Sequence, residues 1–237
     1  MRKPRVFGVV LAAGVPLGLL YGLLCLNGCH RGAKEASPEV SCHWNLELLG
    51  KGVTGYRSAH GELPQVSIGP KGDEHSWRVL VVPCVFPEQS GITSSYRLDQ
   101  PWDSEDNRDA LWPGFLENFV HSCPLDPSPT EDRFFTSYLM LVRPSVRDSE
   151  TGEMKAASLA PDAVLVVESV NCGIEFAEPR DLPWDDLWEG DSPFGKAKLN
   201  SLHRDVVMAL RVDGKVIEIP KDITKKDLRK LLSGNTQ

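Results

Sequence analysis

The feature that most constrains this chain is an uncharged, largely apolar run near its amino end, from Val6 to Leu26. As a helix, these 21 residues would be about 31 Å long, which is close to the thickness of the hydrocarbon core of a bilayer. Three basic residues precede the run, at positions 2, 3 and 5, and such residues stay on the cytoplasmic side of a membrane. We therefore predict that residues 1–26 are a signal or membrane-anchor segment and that the rest of the chain is extracytoplasmic.

Three kinds of leader are compatible with this run. Its length exceeds the core of a typical signal peptide and favours a retained, single-pass anchor in a bacterial cell membrane. A cleaved signal peptide is the second alternative, although no small-x-small cleavage site follows the run. The third is a lipoprotein, because Leu26-Asn27-Gly28-Cys29 is similar to the bacterial lipoprotein box, in which Cys29 would carry the lipid. All three alternatives place the domain outside the cytoplasm.

The rest of the chain reads as a short polar linker, residues 27–37, followed by one exported domain, residues 38–237. A net charge of -7 and the lack of a basic stripe argue against a nucleic-acid partner. Four cysteines remain beyond the leader, and sequence does not choose among their three complete disulfide pairings or a set of free thiols. These cysteines are Cys42, Cys84, Cys123 and Cys172.

We expect no metal site and no other cofactor. No two of the four cysteines are separated by only two residues, which is the spacing typical of a structural zinc site. Of two acidic segments, residues 103–109 are interpreted as part of a Pro-Trp-Asp-Ser turn, and residues 185–191 as a solvated loop with tryptophans packed beneath it. Calcium binding is the alternative for each.

A helix is predicted to start at Pro38, because Ser37 is a good cap and Glu39 lies near the positive end of the helix dipole. Gly61 marks its end. Its apolar residues recur at helical spacing: Leu46, Leu49, Val53 and Tyr56. The glycines at 50, 52 and 55 weaken an isolated helix and suit close packing against a sheet.

Four further elements are predicted to be strands: Trp77–Val82, Ser137–Val142, Val164–Val170 and the arms of a hairpin around Asp213-Gly214. Long loops connect them, and a short helix, Asp227–Leu232, follows a capping threonine at position 224. The predicted fold class is therefore α+β: an N-terminal hydrophobic helix, then a second helix packed on a mainly antiparallel sheet with long loops.

The hairpin prediction includes a register. If Asp213 and Gly214 form a two-residue turn, then Val212 faces Lys215, and the next two pairs point into a core. Those pairs are Leu210 with Ile217 and Met208 with Ile219. In this register Arg211 and Glu218 face outward.

Eight motifs occur in one order along residues 40–232. They are CHWNLELLGKGVTGYRSAHGELP, HSWRVLVVP, YRLDQPWDSEDNR, HSCPLDP, TSYLMLV, LVVES, FAEPRDLPWDD and finally His203-x9-Asp213-Gly214. Together they resemble a large family of planctomycete prepilin-like proteins of unknown function, whose C-terminal piece is defined by His-x9-Asp-Gly. The resemblance implies a type IV pilin-like or pseudopilin-like fold in an exported envelope protein without established biochemical activity. The leader departs from the prepilin pattern, since its apolar run contains no glutamate and includes Pro16.

We predict structural roles for the motif residues His203, Asp213 and Gly214. Glu168 ends an apolar strand, and a buried carboxylate there requires a partner, for which His203 or an arginine is the candidate. No catalytic motif is present, so we expect no enzymatic activity.

The expected function is that of a membrane-anchored, pilin-like structural or assembly protein. Its expected partners are the membrane, through the N-terminal segment, and other pilin-like subunits or a secretion machinery. The alternative is an extracytoplasmic lipoprotein-type binding module that recognises a glycan or a protein through its tryptophan-rich loops.

Overall fold

The computed structural model describes residues 37–65, 67–68, 72, 74–86, 95–111, 122–128, 134–147, 154–155 and 158–234. The predicted leader and Cys29, the candidate lipidation site, lie outside these residues. Within them, no helix has both the length and the apolar character needed to cross a membrane.

The chain order of the helices is α1 (Pro38–His60), α2 (Trp77–Val85), α3 (Glu105–Leu111), a 3₁₀ helix (Asp185–Trp188) and α4 (Lys225–Ser233). The strands are β1 (Ser67–Ile68), β2 (Glu74–His75), β3 (Tyr138–Val142), β4 (Val146–Arg147), β5 (Met154–Lys155), β6 (Val164–Glu168), β7 (Leu182–Pro183), β8 (Val206–Arg211) and β9 (Val216–Pro220).

Five strands form the main sheet in the order β7-β3-β6-β8-β9, and every neighbouring pair is antiparallel except β3 with β7. The β1–β2 and β4–β5 pairs form separate two-stranded ribbons. The sheet and its helices confirm the predicted α+β class, and β3 and β6 confirm two of the predicted strands. Every residue of β6 is buried, as expected for a central strand with both faces covered.

Helix α1 confirms the predicted start and end. The Ser37 hydroxyl accepts a hydrogen bond from the Val40 N–H at 3.4 Å, and Pro38 occupies the first turn. Gly61 ends the helix in the left-handed conformation, with φ of 81°. The apolar face of α1 packs on β8 and β9, and it shares one hydrophobic core with α2 and one face of the sheet. The other face is covered by α4 and the 3₁₀ helix.

The prediction of a strand at Trp77–Val82 is wrong, because this segment forms the first part of α2. Ser76 caps the helix by accepting a hydrogen bond from the Arg78 N–H at 3.2 Å. Trp77, Val79, Val81 and Val82 are all buried. A helix buried on several sides has a nearly continuous apolar sequence, which is also the pattern of a central strand.

The glycines of α1 allow two different close approaches. A Cβ added at Gly50 would lie 2.9 Å from the carbonyl oxygen of Gly214 in the hairpin, so this glycine approaches the sheet as predicted. A Cβ added at Gly52 would lie 2.7 Å from the Val85 side chain, which belongs to α2. The expected close packing against the sheet is therefore confirmed at Gly50, whereas Gly52 and Gly55 approach α2 instead.

The hairpin forms where predicted, but its predicted register is wrong by one residue. Leu210 faces Val216 and Met208 faces Glu218. The Arg211 N–H donates to the Lys215 carbonyl at 2.9 Å, which leaves a three-residue loop in place of the predicted two-residue turn. Such a slip reverses the faces of one arm relative to the other.

The consequence is a different division of the hairpin side chains between the two cores. Met208 and Leu210 point into the core beneath α1, whereas Ile217 and Ile219 pack on the opposite face of the sheet with α4. The predicted register required Arg211 and Glu218 to share the outward face, and in the structure they lie on opposite faces of the hairpin.

Candidate functional site

The structure brings together Glu168, at the end of β6, and His203, in the loop before β8. His203 Nε2 lies 3.4 Å from Glu168 Oε1, and both side chains are fully buried. The other carboxylate oxygen, Oε2, accepts a hydrogen bond from the Met208 N–H at 3.2 Å. His203 is thus the partner that the sequence suggested for Glu168.

Two cysteines complete this cluster, and sequence reasoning did not connect them with it. Cys42 lies on the buried face of α1, and Cys123 lies in the loop of residues 122–128. Cys123 Sγ is 3.6 Å from His203 Nε2. The ligand atoms of Cys42, Cys123, Glu168 and His203 all lie within 4.8 Å of one another, and all four residues are buried. We call this group the four-residue cluster.

Local hydrogen bonds hold Cys123 in place. Its N–H donates to the Ser137 hydroxyl at 2.9 Å, and that hydroxyl donates to Asp126 at 2.6 Å. Ser137 immediately precedes β3, so the loop carrying Cys123 is fixed to the edge of the sheet.

An outer ring of polar groups surrounds the cluster. His203 Nδ1 lies 3.5 Å from Oε1 of Glu39, whose side chain is half exposed in the first turn of α1. The Tyr138 hydroxyl accepts a hydrogen bond from Asn45 Nδ2 at 3.2 Å. Backbone and Ser37 hydrogen bonds lower the pKa of Glu39, so this rim group is an anion at neutral pH.

The two thiols of the cluster interact directly. A hydrogen bond shared with Cys42, together with burial and the Glu168 carboxylate, raises the pKa of Cys123. The same hydrogen bond lowers the pKa of Cys42. Cys42 is therefore the thiol of the pair that ionises more readily.

Two buried atoms of the cluster make no hydrogen bond to any described residue: Glu168 Oε1 and His203 Nδ1. Both have an oppositely charged or polar group near 3.5 Å, but not in hydrogen-bonding geometry. A buried carboxylate oxygen without a hydrogen bond is costly unless a cation or metal compensates it. Among the described residues, this cluster is the group whose His, Cys and acidic side chains could hold a metal ion. The acidic segments 103–109 and 185–191 provide no such group in the described part of the chain.

Asp213 and Gly214 lie at the other end of β8 and do not join the cluster. Asp213 Oδ1 accepts a hydrogen bond from the Lys215 N–H at 3.2 Å, and Gly214 adopts a φ of 82°, so both residues shape the turn. Gly214 also lies against α1, where a Cβ on it would be 3.1 Å from Thr54. The two ends of the His-x9-Asp-Gly motif thus contact α1 at its first turn and near its middle.

The tryptophans of the loop after β7 pack against other residues of the same chain. Trp184 and Trp188 make an edge-on contact with ring centroids 5.3 Å apart, and both are half-buried against the core beneath α4. Arg143 lies over the ring of Trp184 and Arg229 over that of Trp188, at 4.8 and 4.5 Å. These contacts cover ring faces that a glycan would otherwise stack on.

Two exposed apolar side chains lie next to each other on α1. Val40 and Trp44 are 58% and 55% exposed and are four residues apart, so they share one face of the helix. Glu39, Glu47 and Glu218 line the same shallow groove.

One family model matches the chain, over residues 31–163, which is more than half of its length. Its description is protein of unknown function (DUF1559). No curated protein and no solved structure matches the chain. The matched region includes Cys42 and Cys123, and it ends before Glu168 and His203.

Proposed function

The chain belongs to the family described as protein of unknown function (DUF1559), and we propose that it is a non-enzymatic, membrane-anchored, pilin- or pseudopilin-like structural or assembly protein on the extracytoplasmic side of a bacterial membrane. The observation that carries this proposal is the packing of α1 along β8 and β9. In sequence, α1 follows the apolar run of residues 6–26 after a short polar linker. A hydrophobic segment that leads into a helix lying on an antiparallel sheet is the arrangement that the prepilin-like resemblance implies.

The His-x9-Asp-Gly motif supports the proposal through its contacts with α1. Near the start of the helix, His203 approaches Glu39 and Cys42. Near its middle, Gly50 is in close contact with Gly214. We interpret this C-terminal piece of the prepilin-like resemblance as the element that positions α1 on the sheet.

A non-enzymatic role is supported by the burial of the four-residue cluster. His203 and Glu168 are 1% and 0% exposed, and Cys42 and Cys123 are equally buried. Entry of a substrate would require a rearrangement of the residues that cover these groups.

An assembly role is supported by the exposed face formed by Val40 and Trp44. Exposed apolar residues are ordinary when they occur singly, but two on one helical face beside a groove are suited to contact with another subunit. This face lies in the first two turns of α1, close in sequence to the apolar segment.

The membrane part of the proposal is tested by fractionating native cells and measuring the mass of the mature N-terminus. Recovery in the membrane fraction with Met1 intact, or with a start close to it, is the expected result. A diacylglyceryl group on Cys29 would support the lipoprotein-type binding module instead. A methylated residue after cleavage at Gly8 or Gly14 would indicate a true pilin, and recovery as a soluble cytoplasmic protein would end the proposal.

The assembly part is tested by crosslinking in native membranes. We expect Trp44→Glu to reduce the yield of crosslinked oligomers severalfold. Leu98→Glu is the matched control, since Leu98 is also an exposed apolar residue, at 41%, but lies away from α1. Equal oligomer yields for the two variants and the unmodified protein would remove the assembly role and leave the anchoring unaffected.

A further inference from the structure

We propose that Cys42, Cys123, Glu168 and His203 bind one zinc ion, which fastens the start of α1 to the sheet. The proposal does not depend on the membrane or assembly roles, because every ligand lies within the described domain.

The donor set and its spacing fit zinc. Thiolate, imidazole and carboxylate groups are the ligands of zinc in proteins, and a structural site uses four of them in a tetrahedron. With metal–ligand distances of about 2.0–2.3 Å, tetrahedral geometry separates ligand atoms by roughly 3.3–3.8 Å. The Cys123–His203 and His203–Glu168 distances, 3.6 and 3.4 Å, already lie in this range. Because no pair in the cluster exceeds 4.8 Å, side-chain movements of about 1 Å close the site.

Zinc would also satisfy a buried oxygen that makes no hydrogen bond to any described residue. Glu168 Oε1 is fully buried and has no hydrogen bond, whereas its Oε2 is held by the Met208 N–H. One oxygen is thus fixed by the backbone, and the other points towards both the imidazole and the thiols. Coordination by Oε1 places a cation where the buried carboxylate requires one.

The surrounding groups match the outer shell of a zinc site. A histidine that binds zinc through one nitrogen usually donates the proton on the other nitrogen to a carboxylate or carbonyl. In the four-residue cluster, Nε2 of His203 faces the other ligands and Nδ1 faces Glu39 at 3.5 Å.

The charge balance of binding is simple. Zn²⁺ displaces one proton from each of the two thiols, and both protons leave to solvent. Glu168 binds as a carboxylate, and His203 binds as neutral imidazole with its proton on Nδ1. No redox step is involved.

Two simpler arrangements explain only part of the cluster. A disulfide between Cys42 and Cys123 would use both thiols but leave Glu168 Oε1 without a hydrogen bond. An ion pair between His203 and Glu168 alone does not account for two thiols next to the same imidazole nitrogen. Zinc uses all four groups, and four protein ligands in a closed, buried site indicate a structural role rather than catalysis.

The test begins with the full-length protein purified in detergent from zinc-containing medium. We expect about one zinc per chain by elemental mass spectrometry, and thiolate-to-metal charge-transfer absorption after replacement by cobalt. Cys123→Ser should lose both signals. Cys84→Ser is the matched control, because Cys84 is also a free cysteine but lies on α2 outside the cluster, and it should keep them.

Two conservative variants show whether a loss of zinc binding is due to misfolding. Glu168→Gln keeps the shape of the side chain and should weaken zinc binding by at least about tenfold in competition with a chromogenic chelator. Glu39→Gln changes only the outer shell and should weaken binding by about 10- to 100-fold with an unchanged circular dichroism spectrum. Unchanged zinc affinity in both folded variants would overturn the proposal.

A thermal measurement gives an independent readout. Zinc at about a hundredfold excess over its dissociation constant should raise the Tm of the metal-free protein by about 5–10 °C, and the shift should vanish in Cys123→Ser but not in Cys84→Ser. Metal-free protein with two free thiols and no response to zinc would overturn the proposal. So would a native mass lower by two hydrogens with Cys42 and Cys123 joined as a disulfide.

Discussion

The contact between Gly50 and the hairpin can be tested by adding a single methyl group. In an unconstrained helix, replacing glycine by alanine stabilises by about 1 kcal/mol. At Gly50 the added Cβ would lie 2.9 Å from both the Gly214 carbonyl oxygen and the Leu210 side chain. The first of these is a backbone atom of a turn, so relief requires that α1 or the hairpin move.

The expected net effect follows from these opposing contributions. Overpacking a well-filled core costs about 1–3 kcal/mol, and contact with backbone places this site near the upper end. After the helix gain is subtracted, Gly50→Ala should lower the free energy of unfolding by about 2 kcal/mol. For a domain of this size, the Tm falls by about 4–8 °C.

The assay is thermal and denaturant unfolding followed by circular dichroism, with a control at an exposed position of the same helix. At Ser58, which is exposed, the alanine variant should be more stable than the glycine variant by about 1 kcal/mol. The alanine preference should therefore have opposite signs at positions 50 and 58. If Gly50→Ala is as stable as the unmodified protein, α1 does not approach the hairpin in this way, and the main support for the pilin-like proposal is lost.

Three further predictions test other parts of the packing. Arg78 and Asp181 form a buried ion pair with both side chains 1% exposed, so Arg78→Met should lower the free energy of unfolding by about 3–5 kcal/mol. In a double-mutant cycle, the double variant with Asp181→Leu should lose less than the sum of the losses in the two single variants. Burial raises the pKa of Asp181 from 3.8, and the Arg78 charge opposes that rise. The loss of unfolding free energy in Arg78→Met should therefore be smallest below about pH 4 and increase as the pH rises and the carboxyl ionises. Gly214→Ala should cost about 1–2 kcal/mol, because φ is 82° there, and a Tm equal to that of the unmodified protein would contradict the turn geometry. Thr224→Ala should cost about 1 kcal/mol through loss of the cap on α4, measured by denaturant unfolding, whereas no loss would mean that the hydroxyl does not cap the helix.

Elements with local start and stop signals could be predicted from the sequence. Helix α1 has its cap at Ser37 and its end at Gly61, and α4 has Thr224 reciprocally paired with Asp227. These interactions connect residues within one turn, so the sequence contains all of their participants. Strand β6 was also recognisable, because a short apolar run flanked by polar loops is typical of a central strand.

Features that depend on distant residues could not be predicted in the same way. The apolar run in α2 fits a buried helix and a buried strand equally well. In the structure it packs against α1, which is distant in sequence, with Val85 next to Gly52. The hairpin loop is similar, since Asp-Gly suits two-residue and three-residue loops alike. There the Val212 N–H donates to the Ala163 carbonyl at 2.9 Å, which draws Val212 into the loop.

One part of the candidate site could likewise be predicted from local sequence, and the other part could not. A carboxylate at the end of an apolar strand needs a partner, and this local rule pointed to Glu168, with His203 or an arginine as the candidate partner. The thiols could not be found by spacing, because Cys42 and Cys123 are 81 residues apart and each lies on a different element from the other two residues. Rules based on closely spaced cysteines exclude only sites whose ligands are neighbours in sequence, and they do not apply to this cluster.

The length of the His-x9-Asp-Gly motif is explained by the helix that it holds. The contacts of α1 with the motif extend from Glu39 to Thr54, which is about 22 Å along a helix, and the six residues of β8 extend about 20 Å. A shorter strand would bring its two ends to only part of this interval, and one end would lose its contact with α1. The histidine end is buried and polar, whereas the glycine end is a steric fit between backbones. A zinc ion at the histidine end would fasten the first turns of α1, the part nearest in sequence to the apolar segment. In the proposed membrane-anchored protein, a pull from the membrane would therefore act first on the metal ligands and only then on the packed core.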